Sequence, residues 1–371
     1  MFQNYHRILR RVLLSILVLL TISCEITASI TNFDFSDYGH RITKHWDNQT
    51  ADFVIKKYMY SIGEVPDNLD IIKLQGGASN NFIFLIKQNN VDKYILKGLI
   101  YTREALNLSD LQDNPIFNQL PNSYNAAKIV RSKLISQYQI TGTNESKYFT
   151  ILEAASGREL YKIMLDNLFG PQNKESKMQH LNTVFYTVGM QISQFHKDVV
   201  KPNNFITPKN LITLTHNDLH PENIFYDELN NKTTLIDNES MANRQVVNEV
   251  EGLYEIPLIL WGHGNHKNLL TSADAKDLAL IYSNLIKGLA APYGNPREAQ
   301  TIFAEKIIRM NQASINYLMK SPYEYWMGSP TEHWQHILVD GLIRVYSPES
   351  EIYVDKLKTI NAHIKRQFNI N

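Results

Sequence analysis

Two neighbouring segments are the most informative part of this chain: His216-Asn-Asp218-Leu-His220-Pro-Glu-Asn223 and Leu235-Ile-Asp237-Asn-Glu239. Between them, the apolar and β-rich runs 224–226 and 233–236 enclose a polar loop at 227–231, which predicts a β-hairpin. A further short strand is predicted at 211–214, shortly before His216. The segments therefore place two aspartates and an asparagine on loops that flank short strands, within 20 positions of one another.

These residue types are the ones that a phosphoryl-transfer site needs. One carboxylate must receive the proton of the attacking hydroxyl, while an asparagine side chain and a second aspartate hold Mg²⁺ against the nucleotide phosphates. An H-x-D-x-x-x-x-N pattern also occurs by chance in polar loops, so its meaning depends on its context. Here the order of loop, hairpin and aspartate favours the catalytic interpretation.

At these residues the chain resembles the aminoglycoside phosphotransferase and choline kinase family, small-molecule kinases that share the protein-kinase fold. The resemblance implies an α+β, bilobal fold with a small β-rich N-lobe and a larger, mostly helical C-lobe. It also implies that Asp218 is the catalytic base and that Asn223 and Asp237 are Mg²⁺ ligands. Glu239 matches the second acidic position after the metal-binding aspartate, and we treat it as a further candidate metal ligand.

Two other residues of these segments need comment. The resemblance assigns His216 a structural role, in which its side chain bonds the backbone of the catalytic loop. Asn238 stands where the family usually has an aromatic residue, and this is a departure from the family pattern.

The sequence ahead of these segments predicts a small β-meander. Strands are expected at 69–74, 82–86 and 91–96, and a tight loop at 75–81 joins the first two. A Gly-Gly loop is an ordinary hairpin turn, but its free N–H groups also suit phosphates, and a lysine after the next strand completes the kinase arrangement. The loop residues expected nearest to the phosphates of ATP are Gly76, Gly77, Ser79 and Asn80.

Further nucleotide-binding residues follow from the resemblance. Lys97 matches the lysine that grips the α- and β-phosphates, and Glu104 is the candidate partner that aims it. The alternatives are a solvated lysine and a surface glutamate favoured in the first turn of a helix. A strand at 148–152 leads into the expected connection between the lobes, where backbone at Glu153 and Ala155 hydrogen-bonds adenine; an ordinary strand-to-helix loop is the alternative.

The remainder of the chain is predicted to be largely helical. A helix ending near His196 precedes the catalytic segment, and His196 is interpreted as a packing residue. Later helices are expected at 274–289, 296–320 and 331–346. Aromatic residues there either pack in the core or form a box for a quaternary ammonium by cation–π attraction, and acidic residues there suit an amine-bearing sugar instead. The aromatic candidates are Trp261, Trp326, Trp334 and Tyr323 or Tyr325; the acidic ones are Glu324, Glu332 and Asp340.

Composition excludes several classes of protein. Lys+Arg and Asp+Glu are equal at 37 each, so binding to nucleic acid is unsupported. The single Cys24 rules out an internal disulfide framework and a zinc site built on cysteines.

The N-terminus carries the features of a secretory signal peptide. Basic residues at 6–11 precede an apolar run at 12–22, and small residues follow near 26–28. Export or secretion is therefore expected. An exported kinase needs a source of ATP, and it would find one inside a host cell. The alternatives are an uncleaved anchor that associates the protein with a membrane, and a buried core helix. Triplets of the N-glycosylation type begin at five asparagines, including Asn238 beside the expected metal ligand, and they are uninformative about glycosylation.

The resulting prediction has four segments: 1–28, signal peptide or membrane anchor; 29–68, N-terminal extension; 69–152, nucleotide-binding N-lobe; and 153–371, catalytic and acceptor-binding C-lobe. The predicted function is a Mg²⁺-ATP-dependent phosphotransferase acting on the hydroxyl of a small molecule, such as a choline-like amino-alcohol, an aminoglycoside or another sugar. Alternatives are a kinase-fold effector that modifies a protein target and a non-catalytic pseudokinase that serves as a binding module.

Overall fold

The computed structural model describes residues 48–74, 82–99, 102–118, 125–130, 132–139, 146–169, 174–200, 206–253, 273–319 and 348–371. The chain divides into two compact units, one comprising Met1–Ser109 and Arg131–Ala154 and the other comprising Asp110–Val130 and Ala155–Asn371. Residues 110–130, which the sequence-based division places in the N-lobe, therefore cluster with the second unit. The chain passes finally from the first unit to the second between Ala154 and Ala155.

The described residues form helices and strands in the following order. In chain order they are α1 (Asn48–Ser61), β1 (Leu69–Lys73), β2 (Ile83–Gln88), β3 (Val91–Leu99), α2 (Thr102–Asp113), α3 (Pro115–Asn118), β4 (Lys128–Ile129), β5 (Ser132–Gln139), β6 (Ser146–Glu153), β7 (Arg158–Glu159), α4 (Leu160–Phe169), α5 (Lys174–Val200), β8 (Ile212–Thr215), β9 (Ile224–Asp227), β10 (Lys232–Leu235), β11 (Ala242–Gln245), α6 (Val250–Leu253), α7 (Ala275–Ala290), α8 (Pro296–Met319) and α9 (Pro348–Phe368). Short 3₁₀ turns lie at Pro221–Asn223, Asn238–Ser240 and Val246–Glu249.

The first unit is built on an antiparallel five-stranded sheet with the strand order β1-β2-β3-β6-β5. Alternation along β2 buries Phe84 and Ile86 on one face, as a half-buried strand requires. Helix α1 covers this face with buried apolar side chains that include Val54 and Ile55. Helix α1 lies within the stretch interpreted as an N-terminal extension, and its side chains belong to the core of this unit.

The second unit is mostly helical and carries small sheets. Strands β4, β10, β9 and β7 form one sheet, in which β9 and β10 are the arms of the predicted hairpin, and β11 pairs with β8. Its core is continuous and draws on α4, α5, α7, α8 and α9. The two units thus have the β-rich and the mostly helical character that the sequence predicts.

Helices α5 and α7 approach one another at two glycines. A Cβ placed on Gly189 of α5 would lie 2.6 Å from the carbonyl oxygen of Leu285, and one placed on Gly288 of α7 would lie 2.0 Å from that of Tyr186. Separations below 3.0 Å are essentially never seen for real Cβ atoms. The backbones of the two helices are therefore close enough that only hydrogen fits at these positions.

Several predicted elements agree with the structure to within a few residues. The helix ending near His196 continues to Val200 as part of α5, and the helix predicted at 331–346 lies outside the described residues. The sequence predicts no strand where β5 lies, and it predicts α9 only as part of a largely helical C-terminal portion. Among the residues that the structure describes, no helix is both long and apolar enough to cross a membrane.

Candidate active site

The β9–β10 hairpin brings Asn223 and Asp237 to the same end of two paired strands. Ile224 pairs with Leu235, and the pairing is extended by a hydrogen bond of 3.0 Å from the backbone N–H of Ile236 to the carbonyl of Asn223. Asn223 thus lies directly before the paired part of β9, and Asp237 lies two residues after the end of β10. Because the hairpin is local, the residues expected to bind metal are neighbours through backbone pairing alone.

Asn223 is also bonded to the expected catalytic base. Its Nδ2 donates to the backbone carbonyl of Asp218 at 2.8 Å and lies 3.5 Å from the Asp218 carboxylate oxygen Oδ2. The first bond has good length, whereas the second is at the limit of a hydrogen bond. Among the described residues the Asn223 side chain bonds only through Nδ2, which leaves Oδ1 as an oxygen donor for a cation. Asp218 itself is half-buried.

Left-handed backbone conformations occur on both sides of this cluster. Asn217 has φ of 64° and Asp237 has φ of 61°, a region that residues other than glycine adopt rarely. The Asn217 side chain donates to the carbonyl of Ser240 at 2.8 Å, so the loop at 216–220 is bonded to the turn that follows Asp237. Such conformations persist where the surroundings hold them, and they concentrate at functional sites.

His216 holds the start of the 216–220 loop from within the core. Its side chain is buried, and its Nε2 lies 2.6 Å from the carbonyl oxygen of Ile236. Because a carbonyl only accepts hydrogen bonds, Nε2 must carry the proton and donate it. The His216 side chain therefore bonds backbone, as the resemblance implies, but this backbone is that of Ile236 beyond the hairpin and not that of its own loop.

A buried hydrogen-bonded pair, His196 and Glu249, contacts His216. Glu249 accepts from the backbone N–H of His216 at 3.0 Å to each carboxylate oxygen, and His196 Nε2 lies 2.8 Å from Glu249 Oε2. Burial on its own would raise the pKa of Glu249, but the hydrogen bond and charge of His196, together with His216, lower the pKa below its ordinary value. The sequence suggests that His196 is a packing residue. In the structure it also bonds a buried carboxylate 53 positions away.

The departure at Asn238 has a structural explanation. The Asn238 side chain is fully buried, and its Nδ2 donates to the carbonyl of Val130 at 2.9 Å. Val130 also donates its N–H to the carbonyl of Leu235 at 2.9 Å. The Asn238 side chain therefore adds one more hydrogen bond to the pairing of the 128–130 segment with β10. An amide side chain satisfies a buried carbonyl here, which an aromatic ring would leave unpaired.

The predicted nucleotide-binding residues belong mainly to the first unit. Lys97 lies near the end of β3, opposite Ile83 and Thr150, and is buried. Glu104 lies on α2, but its side chain is outside the description, so pairing with Lys97 stays a prediction. Glu153 is exposed at the end of β6 and Ala155 is half-buried after it. The loop residues Gly76, Gly77, Ser79 and Asn80 lie outside the described residues.

The residues present fit a magnesium ion through oxygen donors. Mg²⁺ prefers carboxylate, carbonyl and water oxygens, and the Asp237 carboxylate and Asn223 Oδ1 belong to this set. No group of three His, Cys, Asp or Glu that could hold a metal is found in the part of the chain that the structure describes. The side chain of Glu239 is not in that part, and so its role as a metal ligand stays a prediction. The same holds for the aromatic and acidic residues expected to bind an acceptor, which lie within 254–272 and 320–347.

Known proteins resemble this chain in structure more than in sequence. No model of a known protein family matches it, and no curated protein sequence does. The structure is similar to that of amicoumacin kinase hAmiN in complex with AMP-PNP, Ca²⁺ and Ami, with 12% identity and a TM-score of 0.46 over 87% of this chain and 96% of that one.

Two other kinases show a similar likeness. An ethanolamine kinase from Plasmodium vivax has 14% identity and a TM-score of 0.37 over 85% of this chain and 92% of that one. A variant of aminoglycoside 2′-phosphotransferase-IIIa in complex with GDP has 12% identity and a TM-score of 0.40 over 85% of this chain and 100% of that one. The chain is similar to all three, and the ligands in their names belong to those proteins.

Sequence reasoning missed the residues that hold this site from a distance. No local sequence pattern distinguishes Glu249 or the helix residue Gln191, which bonds the hairpin, and Asn217 stands in the motif without a predicted role. One signal was present for Asn217, because asparagine is enriched among residues with positive φ. Glu249 carried no such signal, since its contacts with His216 span 33 positions.

Proposed function

We propose that this chain is a Mg²⁺-ATP-dependent phosphotransferase that transfers the γ-phosphate of ATP to a hydroxyl of a small molecule. The observation that carries the proposal is the hydrogen bonding of Asn223. Its Nδ2 donates to the backbone carbonyl of Asp218, and its own backbone carbonyl accepts from the N–H of Ile236, the residue before Asp237. A candidate base and two candidate metal ligands therefore belong to one hydrogen-bonded cluster. These are the groups that phosphoryl transfer requires.

The transfer uses this cluster as follows. The acceptor hydroxyl oxygen forms a bond to the γ-phosphorus, the bond from that phosphorus to the β–γ bridging oxygen breaks, and ADP leaves. The hydroxyl proton passes to the carboxylate of Asp218, which acts as general base. Asp237 and Asn223 Oδ1 hold Mg²⁺, with Glu239 as a further ligand, and the ion when bound neutralises charge on the phosphates. Positioning contributes most of the rate enhancement, because little covalent chemistry falls to the protein.

The first unit supplies most of the nucleotide contacts in this proposal. Lys97 binds the α- and β-phosphates, and Glu104 orients it. Backbone at Glu153 and Ala155 bonds adenine, and the N–H groups of the 75–81 loop, with Ser79 and Asn80, cover the phosphates. The acceptor classes proposed are amino-alcohols of the choline type, aminoglycosides and other sugars, all of which present a hydroxyl near a cationic or polar group.

The proposal is tested by calorimetry and a transfer screen on the purified full chain. Binding of ATP is measured with and without Mg²⁺, and ADP production is followed over amino-alcohols, aminoglycosides and sugars. The Asp218→Ala variant is expected to lose turnover by at least about a hundredfold while it still binds ATP. Glu228→Gln, on the exposed hairpin loop, is the matched control and should keep full turnover.

Three outcomes would contradict the proposal. ATP binding without turnover on any acceptor would favour a non-catalytic binding module, and turnover only on a protein would favour an effector. Full turnover of Asp218→Ala would remove the base from the mechanism.

We also propose that residues 1–28 direct export, with membrane anchoring as the alternative. Mass spectrometry of the mature N-terminus decides between them, because a signal peptide is removed and an anchor is retained. Asn238 would carry no glycan in either case, since its side chain is buried and its Nδ2 is bonded to Val130.

A further inference from the structure

Strand β1 is the edge of the five-stranded sheet, and among the described residues no strand pairs with its outer side. The N–H of Leu74, directly after β1, donates to the carbonyl of Ile83 at 2.9 Å, which fixes how the backbone groups alternate. The N–H and C=O of Ile72 therefore also point to β2, whereas those of Ile71 and Lys73 point away from the sheet. An open edge of this kind is a template for a further extended segment.

A groove of about 670 Å³ lies between this edge and helix α1. Leu69 and Ile71 line it from the strand, and Phe53 and Tyr60 line it from the helix. Leu69, Ile71 and Phe53 are partly buried against the core of the first unit, while Tyr60 is exposed. Because side chains alternate along a strand, a segment that paired with β1 would direct every second side chain into this groove.

The charge beside the groove is mainly positive. Lys56 forms an ion pair of 2.8 Å with Asp52, so these two side chains together are neutral. Lys57 lies 5.0 Å from the centre of the Phe53 ring, and Lys73 is exposed at the end of β1, on the face that lines the groove. The groove therefore suits an extended segment that combines aromatic side chains with negative charge.

The chain carries such a segment shortly before α1. Residues 30–38 read Ile-Thr-Asn-Phe-Asp-Phe-Ser-Asp-Tyr, with two aspartates and neither lysine nor arginine. Phe33 and Phe35 are two positions apart, so both rings would lie on one face of a strand. Helix α1 begins at Asn48, whose Nδ2 donates to the outward carbonyl of Ile71 at 3.3 Å. The chain thus enters α1 beside the open edge.

The intervening residues are long enough to bring the segment to β1. Residues 39–47 are nine in number, and nine extended residues span at most about 30 Å. Strand β1 has five residues, which corresponds to a length of about 17 Å. The segment can therefore lie along β1 in either direction.

We propose that residues 30–38 of the same chain pair with the outer edge of β1 as a sixth strand. Phe33 and Phe35 occupy the groove beside α1, and Asp37 lies on the same face, near the unpaired positive charge. Backbone hydrogen bonds to Ile71 and Lys73 provide affinity, and the alternate side chains provide specificity. The segment follows residues 1–28, so removal of a signal peptide would leave it in place. The inference does not depend on the proposed function.

Hydrogen exchange of the full chain, resolved by residue, tests this pairing. In the wild type the outward amides of Ile71 and Lys73 should be protected, as the inward amide of Ile72 is by β2. Phe33→Asp/Phe35→Asp should accelerate exchange at Ile71 and Lys73 by at least about tenfold and leave Ile72 unchanged, because only the outer side of β1 is released. Both substitutions lie outside the core of the first unit, and an unchanged Ile72 amide shows that the sheet is intact.

The matched control is Ile42→Asp/Thr43→Asp, which adds the same charge to the residues between the segment and α1. It should leave exchange at Ile71 and Lys73 within about twofold of the wild type. Fast exchange of both amides in the wild type, or equal acceleration in the control, would overturn the inference. Protection that is lost on dilution would also overturn it, since a second copy of the chain would then cover the edge.

A substitution in the groove tests the same contact from the other side. Tyr60 is 66% exposed and lines the groove, whereas Val65 is 60% exposed and does not. Tyr60→Asp should accelerate exchange at Ile71 and Lys73 by at least about tenfold, and Val65→Asp should not. Equal exchange in the two variants would show that the groove does not hold residues 30–38.

Discussion

Gln191 on helix α5 and Thr233 on strand β10 are joined by a hydrogen bond of 2.7 Å from the Thr233 backbone N–H to the Gln191 Oε1. The same side chain donates through Nε2 to the carbonyl of Asn231 at 2.7 Å, and Gln191 is buried. One amide group therefore satisfies a donor and an acceptor on the backbone of the hairpin that joins Asn223 to Asp237.

We expect Gln191→Met to destabilise the second unit by about 1–3 kcal/mol per backbone group left unpaired, because methionine keeps the volume and removes both bonds. Urea unfolding of the full chain measures this. Gln179→Met, on the exposed face of the same helix, should change the free energy of unfolding by less than about 0.5 kcal/mol. Equal effects of the two substitutions would show that the hairpin does not depend on Gln191.

Asn238 gives a prediction about the residue that differs from the family pattern. Asn238→Ala should cost about 1–3 kcal/mol, because the carbonyl of Val130 loses its bond from Asn238 within the core. Asn238→Phe, which restores the aromatic residue, should cost at least as much, since a larger ring must also fit a fully packed position. Thermal unfolding is the measurement, with exposed Asn243→Ala as control. A stabilised Asn238→Phe variant would contradict this account.

The lowered pKa of Glu249 predicts how stability depends on pH. A group whose pKa is lower in the folded chain contributes stability that is fully present above its unfolded value, here 4.5, and that is lost as the pH falls through the folded pKa. At neutral pH, Glu249→Gln should be less stable than the wild type by about 1–3 kcal/mol, because the buried donors of His196 and His216 lose a charged acceptor.

Below pH 4.5 the wild type should therefore lose stability faster than Glu249→Gln, and the two should converge. Urea titrations between neutral pH and the acid limit of folding check this. Parallel curves for the two proteins would mean that Glu249 does not titrate with folding.

Asp237 is expected to control the need for magnesium. Asp237→Asn keeps the shape of the side chain and removes its charge, so the Mg²⁺ concentration for half-maximal activity should rise at least about tenfold. Asp355→Asn, on α9 with a side chain that is 79% exposed, should leave that concentration unchanged. The same Mg²⁺ dependence in wild type and Asp237→Asn would remove Asp237 from the metal site.

The sequence was informative where the structure is local. Asn223 and Asp237 are joined by one hairpin, and the register of two short strands is enough to make them neighbours. Turn residues, alternation and the order of the motif all lie within that stretch, so the cluster could be anticipated from a single sequence.

Residues that meet only through packing could not be found in this way. Gln191 lies 42 positions from Thr233, and His196 lies 53 from Glu249. A buried glutamine or glutamate on a helix or turn has the same local pattern as an exposed one until its partner is known. The strand β5 was missed for a similar reason, since Lys133, Ser136 and Gln137 interrupt its apolar alternation and pairing with β6 provides its stability.

The positions of two side chains on α5 depend on Gly189 and Gly288. Gly189 stands two positions before Gln191 and seven before His196 on the same helix, so the two side chains that reach the hairpin and Glu249 move with it. A single added methyl at either glycine would push α5 and α7 apart, because it would meet backbone that cannot rotate out of the way. The distance between α5 and α7 at these two positions therefore helps to place Gln191 and His196, and a substitution there would disturb the hairpin while leaving every residue of the candidate site unchanged.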